Sequence, residues 1–120
     1  MLTLSSGLSL KERIYGTWEV VDFEAQVNEA SEALIAAGKQ ESLSSVYVFK
    51  EDGTFRLTSD YLKEGREGTF KIYEGLRVLR LSYNDGNQSY FDILSLENGL
   101  MKLKVTIGDL GYTIETLKRR

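Results

Sequence analysis

Apolar and polar residues alternate along most of this chain, which is the pattern of β-strands with one buried face. The alternating segments are YGTWEVVDF, SVYVFK, TFRLTS, GTFKIY, LRVLRLSY, QSYFDILSL, LMKLKVTI and YTIETLK. Short turn sequences separate most of them, at 51–53, 74–75, 84–86, 97–99 and 108–111. Strands joined by tight turns pair with their neighbours, and closure removes the open edges. The pattern therefore predicts an all-β fold, a single antiparallel up-and-down β-barrel of about eight strands.

One segment departs from the alternation and predicts a single α-helix between strands 1 and 2. Residues 23–40, FEAQVNEASEALIAAGKQ, are rich in Ala and Glu, and Gly38 is of a type that often ends a helix. Val27, Ala30 and Leu34 are spaced to share one helical face. We therefore expect about three helical turns that form a lid over one end of the barrel.

The turn sequences predict which side chains face the interior. A three-residue loop at 51–53 that ends in a left-handed glycine would place Phe49 opposite Phe55 and Tyr47 opposite Leu57. The same loop type at 84–86 predicts two further inner pairs, Leu81 with Ser89 and Leu79 with Phe91.

The turn at 97–99 allows two registers. A three-residue loop places Ile93 opposite Leu103, and Asp92 opposite Lys104 as an ion pair on the outer face. A two-residue turn at 98–99 would instead send the Asp92 carboxylate inward without a partner, which is costly. We therefore favour the three-residue loop.

Two more hairpins complete the predicted register. A two-residue turn at 74–75 would place Arg77 opposite Ile72. At the last hairpin, Ile107 opposite Tyr112 would bring Ile114 and Thr116 inward.

The order of the strands divides the inward residues between the two ends of the barrel. The end where the first strand begins is called the base, and the opposite end, which the helix covers, is called the mouth. At the base, Gly16 would leave room for the chain to cross and Trp18 would fill the barrel. A cation from Arg77, Lys118 or Arg119 would lie on the indole face. The predicted structural residues of the base are Gly16, Trp18, Arg77 and Lys118. The predicted ligand-binding residues of the mouth and lid are Asp22, Leu34, Tyr47, Leu57, Ser59, Leu81, Ser89, Ile107 and Tyr112.

The first strand, with Gly16-Thr17-Trp18 ahead of the meander, resembles the lipocalin (calycin) superfamily. The phrases YVFKEDGTF, EGTFKIYEGLRVLRL and FDILSLENGLMKLKV resemble the small bacterial lipocalin-like domains, many of them envelope lipoproteins. The resemblance covers residues 12–118 and implies a ligand-binding barrel, with a periplasmic or envelope location favoured and a cytoplasmic one left open. GTWEVVDFE…ALIAAGK is more weakly similar to fatty-acid-binding proteins. Their inward C-terminal arginine and tyrosine have no clear match in YTIETLKRR, so carboxylate capture is not carried over.

Composition narrows the function classes. The chain has no Cys and no His, and its net charge is −3, so thiol chemistry and the commonest general base and metal ligand are missing and no basic face is indicated. We expect no enzyme activity, no catalytic residues, no cofactor, no metal and no nucleic-acid partner. No apolar run is long enough to span a membrane, and we expect a monomer.

The division predicted for the chain is an N-terminal extension at 1–11 and a lipocalin-like barrel domain at 12–120. The extension lacks the basic n-region and full h-region of a signal peptide. The favoured function is binding of a small hydrophobic or amphipathic molecule. The alternative is a packed barrel that acts as a protein-interaction or structural module of the bacterial cell envelope.

Overall fold

A computed structural model describes residues 7–120, and within them eight antiparallel strands pair in chain order and close into a barrel. Residues 1–6 of the predicted extension lie outside the described part. The fold is the predicted all-β up-and-down barrel, with a helix after the first strand. The elements are α1 (Leu10–Ile14), β1 (Gly16–Val27), α2 (Glu32–Leu43), β2 (Val46–Phe49), β3 (Thr54–Ser59), β4 (Leu62–Tyr73), β5 (Val78–Tyr83), β6 (Gln88–Glu97), β7 (Leu100–Ile107) and β8 (Gly111–Arg119).

The short helix α1 closes the base of the barrel and was not predicted. Ser9 and Glu12 form a reciprocal capping box, and SLKE is the sequence signature of that motif. Leu10 and Ile14 are buried against the barrel core. The carboxylate of Glu74, in the turn between β4 and β5, accepts the backbone N–H groups of Leu10 and Lys11 at 2.8 and 3.1 Å.

The helix α2 exists as predicted, but its predicted bounds are wrong. Residues 23–27 continue β1, and the helix begins after Ser31, whose hydroxyl accepts the backbone N–H of Leu34. Gly38 lies inside the helix, which ends at Leu43. The lid is therefore shifted toward the second strand.

Replacement of Gly38 by alanine is expected to stabilise the protein. A Cβ added there would lie 3.9 Å from the ring of Phe23, an ordinary van der Waals distance. Alanine is favoured over glycine inside a helix by about 1 kcal/mol. We therefore expect Gly38→Ala to raise the free energy of unfolding by about 0.5–1 kcal/mol in urea denaturation. Gly75→Ala, in the exposed turn after β4 and with open space around its Cβ, is the control and should leave it unchanged. A destabilised Gly38→Ala protein would contradict the contact with Phe23.

The pairings predicted for β2–β3 and β5–β6 are confirmed. Tyr47 lies opposite Leu57, Phe49 opposite Phe55, Leu81 opposite Ser89 and Leu79 opposite Phe91.

The β6–β7 hairpin reaches the predicted register by a different route. Asp92 lies opposite Lys104 and Ile93 opposite Leu103, as predicted. The loop, however, is the two-residue turn Asn98-Gly99, with φ of 55° and 74°. A bulge between Ile93 and Ser95 inserts one extra residue, so Asp92 still faces outward.

Two predicted hairpins are wrong. The turn between β4 and β5 has four residues, and Ile72 lies opposite Leu79, so Arg77 is in the turn and not in the barrel. In the last hairpin Ile107 lies opposite Gly111 instead of Tyr112. This shift of one residue reverses the faces of β8. Thr113, Glu115 and Leu117 face inward, and Tyr112, Ile114 and Thr116 face outward.

Candidate functional site

The first strand changes face near its middle. A bulge between Val20 and Asp22 adds one residue, and Val21 is exposed there. Asp22, predicted to point into the mouth, therefore lies on the outer face, and Phe23 turns inward opposite Glu115.

A cavity of about 260 Å³ lies between α2 and the inner face of the strands β1, β8 and β7. Apolar atoms line almost all of it. On the helix, Ile35, Gly38 and Ser42 follow one another at three- and four-residue spacing and share a face. The lining residues are Phe23, Ala25, Val27, Ala30, Leu34, Ile35, Gly38, Ile107 and Thr113. The volume approaches the lower end of typical small-molecule sites, about 300 Å³.

A carboxyl group lies beyond the inner end of this cavity, next to two of its lining residues, Phe23 and Thr113, but is not itself part of the lining. Glu115 follows Thr113 on the inner face of β8 and is mostly buried, with part of its surface still accessible. Its Oε2 accepts the hydroxyl of Ser42 on α2 at 2.5 Å. Its Oε1 accepts the hydroxyl of Tyr47 on β2 at 3.1 Å. The carboxyl group thus ties the lid helix to the barrel wall.

The surroundings shift the titration of both acidic groups. Burial raises the pKa of the Glu115 carboxyl, although the hydrogen bonds from Ser42 and Tyr47 oppose the rise. Burial also raises the pKa of the Tyr47 phenol well above its usual value, and the charge of Glu115 adds to this. Tyr47 is therefore a neutral hydrogen-bond donor near pH 7.

Four of the predicted ligand-binding residues face the barrel interior as two cross-strand pairs, Tyr47 with Leu57 and Leu81 with Ser89. Tyr47 and Leu81 are buried there, and Leu57 and Ser89 are half-buried. Ser89 Oγ lies 3.1 Å from the hydroxyl of Tyr83, another inward aromatic residue.

The other predicted ligand-binding residues are more dispersed. Leu34 and Ile107 line the cavity under α2. Ser59 accepts the backbone N–H of Tyr61 in the turn between β3 and β4. Asp22 and Tyr112 lie on the outer face, and the Lys104 ammonium is 4.6 Å from the Tyr112 ring centre.

At the base, Trp18 is fully buried, and its indole N–H donates to the carbonyl of Ile14 at 2.8 Å. The Arg119 guanidinium carbon lies 4.3 Å from the indole ring, and the same side chain donates to the carbonyls of Tyr15 and Arg13. A Cβ on Gly16 would approach this guanidinium to 2.7 Å, so the glycine leaves room for Arg119 rather than for a crossing chain. The side chains of Arg77 and Lys118 are exposed.

Residues 7–120 contain no group of three or more acidic side chains placed to hold a metal ion. No helix in this described range has the length and apolar character needed to cross a membrane.

Sequence reasoning missed the main part of the site. Residues 22–27, DFEAQV, alternate polar and apolar, so the doubled valine of VVDF could have indicated a bulge followed by more strand. Glu115 had no comparable signal, because in YTIETL either alternate set could face inward.

A closed antiparallel up-and-down barrel of eight strands is the architecture of the lipocalin class. The family model described as "Lipocalin-like domain" matches residues 14–103, and the chain belongs to this family.

Solved structures agree with this fold. A DUF4847 family protein from Bacteroides vulgatus superposes with a TM-score of 0.58 at 17% identity, covering 91% of this chain and 96% of that one. A mutant of the fluorescent protein UnaG gives a TM-score of 0.56 at 16% identity, covering 90% of this chain and 96% of that one. Comparison with curated proteins yields no match.

Proposed function

We propose that this barrel binds one small apolar or amphipathic molecule between α2 and the strands β1, β7 and β8. The observation that carries the proposal is the cavity of about 260 Å³ lined almost entirely by apolar atoms. Transfer of an apolar ligand from water into such a site is favourable by about 25 cal/mol per Å² buried.

Two features support this function over a fully packed barrel. The interior of the base half is filled by side chains such as Trp18, Phe49 and Phe55, and the groove of about 310 Å³ at the base is lined as much by polar as by apolar atoms. The apolar cavity lies at the opposite end, under the lid. The lipocalin-like family, in addition, has the barrel architecture that holds one small ligand in its interior.

The proposed contacts revise the predicted set. Leu34 and Ile107 belong to the apolar wall, together with Phe23, Ala25 and Ile35. Tyr47, Leu57, Leu81 and Ser89 face the barrel interior as two cross-strand pairs. Asp22 and Tyr112 are left out because their strands turn them outward.

A substitution that fills the cavity tests the proposal. Ala25→Phe places a ring in the cavity, and Ala36→Phe puts the same ring on the exposed face of α2 as a control. The readout is the fluorescence of prodan, a neutral dye sensitive to polarity. We expect the native protein and Ala36→Phe to bind it equally. We expect the affinity of Ala25→Phe for the dye to be lower by about ten-fold or more.

Equal binding by Ala25→Phe, in a protein whose thermal unfolding shows it to be folded, would move the ligand out of this cavity. If neither prodan nor a neutral alkyl alcohol binds the native protein, the binding function fails, and the interaction module of the cell envelope becomes the better hypothesis.

A further inference from the structure

The carboxyl group of Glu115 lies just beyond the inner end of the apolar cavity, behind residues that line it. It lies opposite Phe23, which lines the cavity, and follows Thr113 on the same strand face, one strand repeat of about 7 Å farther in. On the helix side, Ser42 follows Gly38 by one turn. A ligand whose chain occupies the cavity would therefore direct its other end toward Glu115.

In the described part of the chain, the groups around Glu115 supply no compensating positive charge. The elements packed against it contribute Phe23 from β1, Leu103 from β7, Ser42 from α2 and Tyr47 from β2. Within residues 7–120, no Lys or Arg nitrogen lies within 4.0 Å of its carboxyl oxygens.

The cations on neighbouring strands are turned away or engaged elsewhere. Lys104 lies on the outer face, over the Tyr112 ring. Arg66, near the mouth, stacks 3.7 Å from the Tyr83 ring centre and pairs with Asp85 at 2.9 Å.

We propose that the ligand is a cationic amphiphile, a protonated amine on an apolar chain, with its ammonium bound by Glu115 and its chain in the cavity beneath α2. This inference rests on the proposed function and specifies the ligand class. Each oxygen of Glu115 accepts one hydrogen bond from the protein and keeps capacity for a second donor. An ammonium has three donors and no acceptor, so it matches this arrangement, whereas a carboxylate head would meet a like charge.

Charge complementarity favours a cationic head group next to Glu115. A carboxylate shielded from water with only two hydroxyl donors is poorly stabilised, which agrees with the raised pKa of Glu115. An ammonium that arrives with the ligand would supply the missing charge. Charge-assisted hydrogen bonds of this kind should strengthen binding by about 10- to 100-fold over a neutral head.

The experiment compares three ligands with the same alkyl chain, dodecylamine, dodecanol and dodecanoate, each below its solubility limit or micelle concentration. Displacement of prodan at a pH of about 8 gives the three affinities. We expect dodecylamine to bind about ten-fold or more tightly than dodecanol, and dodecanoate to bind most weakly.

Two variants that each remove one carboxylate show whether Glu115 causes the preference for the amine. Glu115→Gln removes the charge and keeps one oxygen acceptor, for Ser42 or Tyr47, while its amide NH2 can donate to the oxygen of the other hydroxyl. It should abolish the preference for the amine while dodecanol binds within about three-fold of its native affinity. Glu24→Gln, on the exposed outer face of β1, should keep the preference.

The native protein provides a test that needs no variant. As the pH falls through the raised pKa of Glu115, the carboxylate gains a proton while the alkyl amine stays charged. The ratio of amine to alcohol affinity should therefore be high above that pKa and approach one below it.

The outcomes separate the two proposals. If dodecanol and prodan fail to bind, the proposed function itself fails. If they bind but the amine has no advantage, or its advantage survives in Glu115→Gln or at low pH, the binding function stands and the cationic ligand class is overturned.

Discussion

Replacing Trp18 with alanine is expected to lower the free energy of unfolding by about 4 kcal/mol, the largest loss that we expect from a single side chain of this protein. The indole is fully buried, so its removal leaves a large cavity at the base. The change also leaves the carbonyl of Ile14 without its 2.8 Å donor and removes the ring beneath the Arg119 guanidinium. Urea denaturation followed by circular dichroism would measure the loss.

Two controls distinguish these contributions. Trp18→Phe retains most of the apolar volume but loses the N–H donor, so we expect a loss of about 1–3 kcal/mol. Tyr90→Ala removes an exposed aromatic residue from the outer face of β6 and should cost about 0.5 kcal/mol. A Trp18→Ala protein no less stable than Tyr90→Ala would show that the base is not packed as described.

The second large effect is expected at Gly68, on β4 opposite Tyr83. A Cβ at this position would overlap the backbone carbonyl of Ser82 on β5, and neither strand can shift without breaking the ladder. We therefore expect Gly68→Ala to reduce the free energy of unfolding by about 3 kcal/mol, even though alanine adds only one methyl group. The same urea denaturation assay would detect it.

Gly75→Ala is the matched control for this prediction. Gly75 lies in the exposed turn after β4, and its added Cβ would meet no atom within 4 Å. We expect a change within about 0.5 kcal/mol. Equal effects at Gly68 and Gly75 would mean that β4 and β5 are not in the register described.

The register of the barrel was predictable where a turn left one arrangement that kept charges out of the core. The loop at 51–53 predicted that Phe49 would lie opposite Phe55, and the pairing is confirmed. In the hairpin at 97–99 the cost of burying Asp92 gave the right pairing although the loop type was wrong, because a bulge restored the register. Burial of charge is thus a stronger constraint on register than the turn sequence.

Prediction failed where local sequence left two arrangements of similar cost. In β8 the residues of either face include both polar and apolar side chains. The one-residue error at Gly111 therefore assigned every side chain of β8 to the wrong face, and Glu115 was placed outside the barrel. In β1 the alanine- and glutamate-rich residues after the bulge were assigned to the helix. They form a strand because their apolar side chains pack under α2, a long-range contact that helix propensity does not include.

Local sequence pattern was enough to predict the class of the fold, the number of strands, the presence of the lid helix and the packing of Trp18 at the base. These follow from alternation, turn residues and the burial of large apolar side chains, all of which act over a few residues along the chain. The inward orientation of Glu115 and its hydrogen bonds with Ser42 and Tyr47 became evident only in the folded barrel. Those three residues lie on different elements, and strand register and helix docking are set by packing of the whole barrel, so their meeting could not be inferred from local pattern.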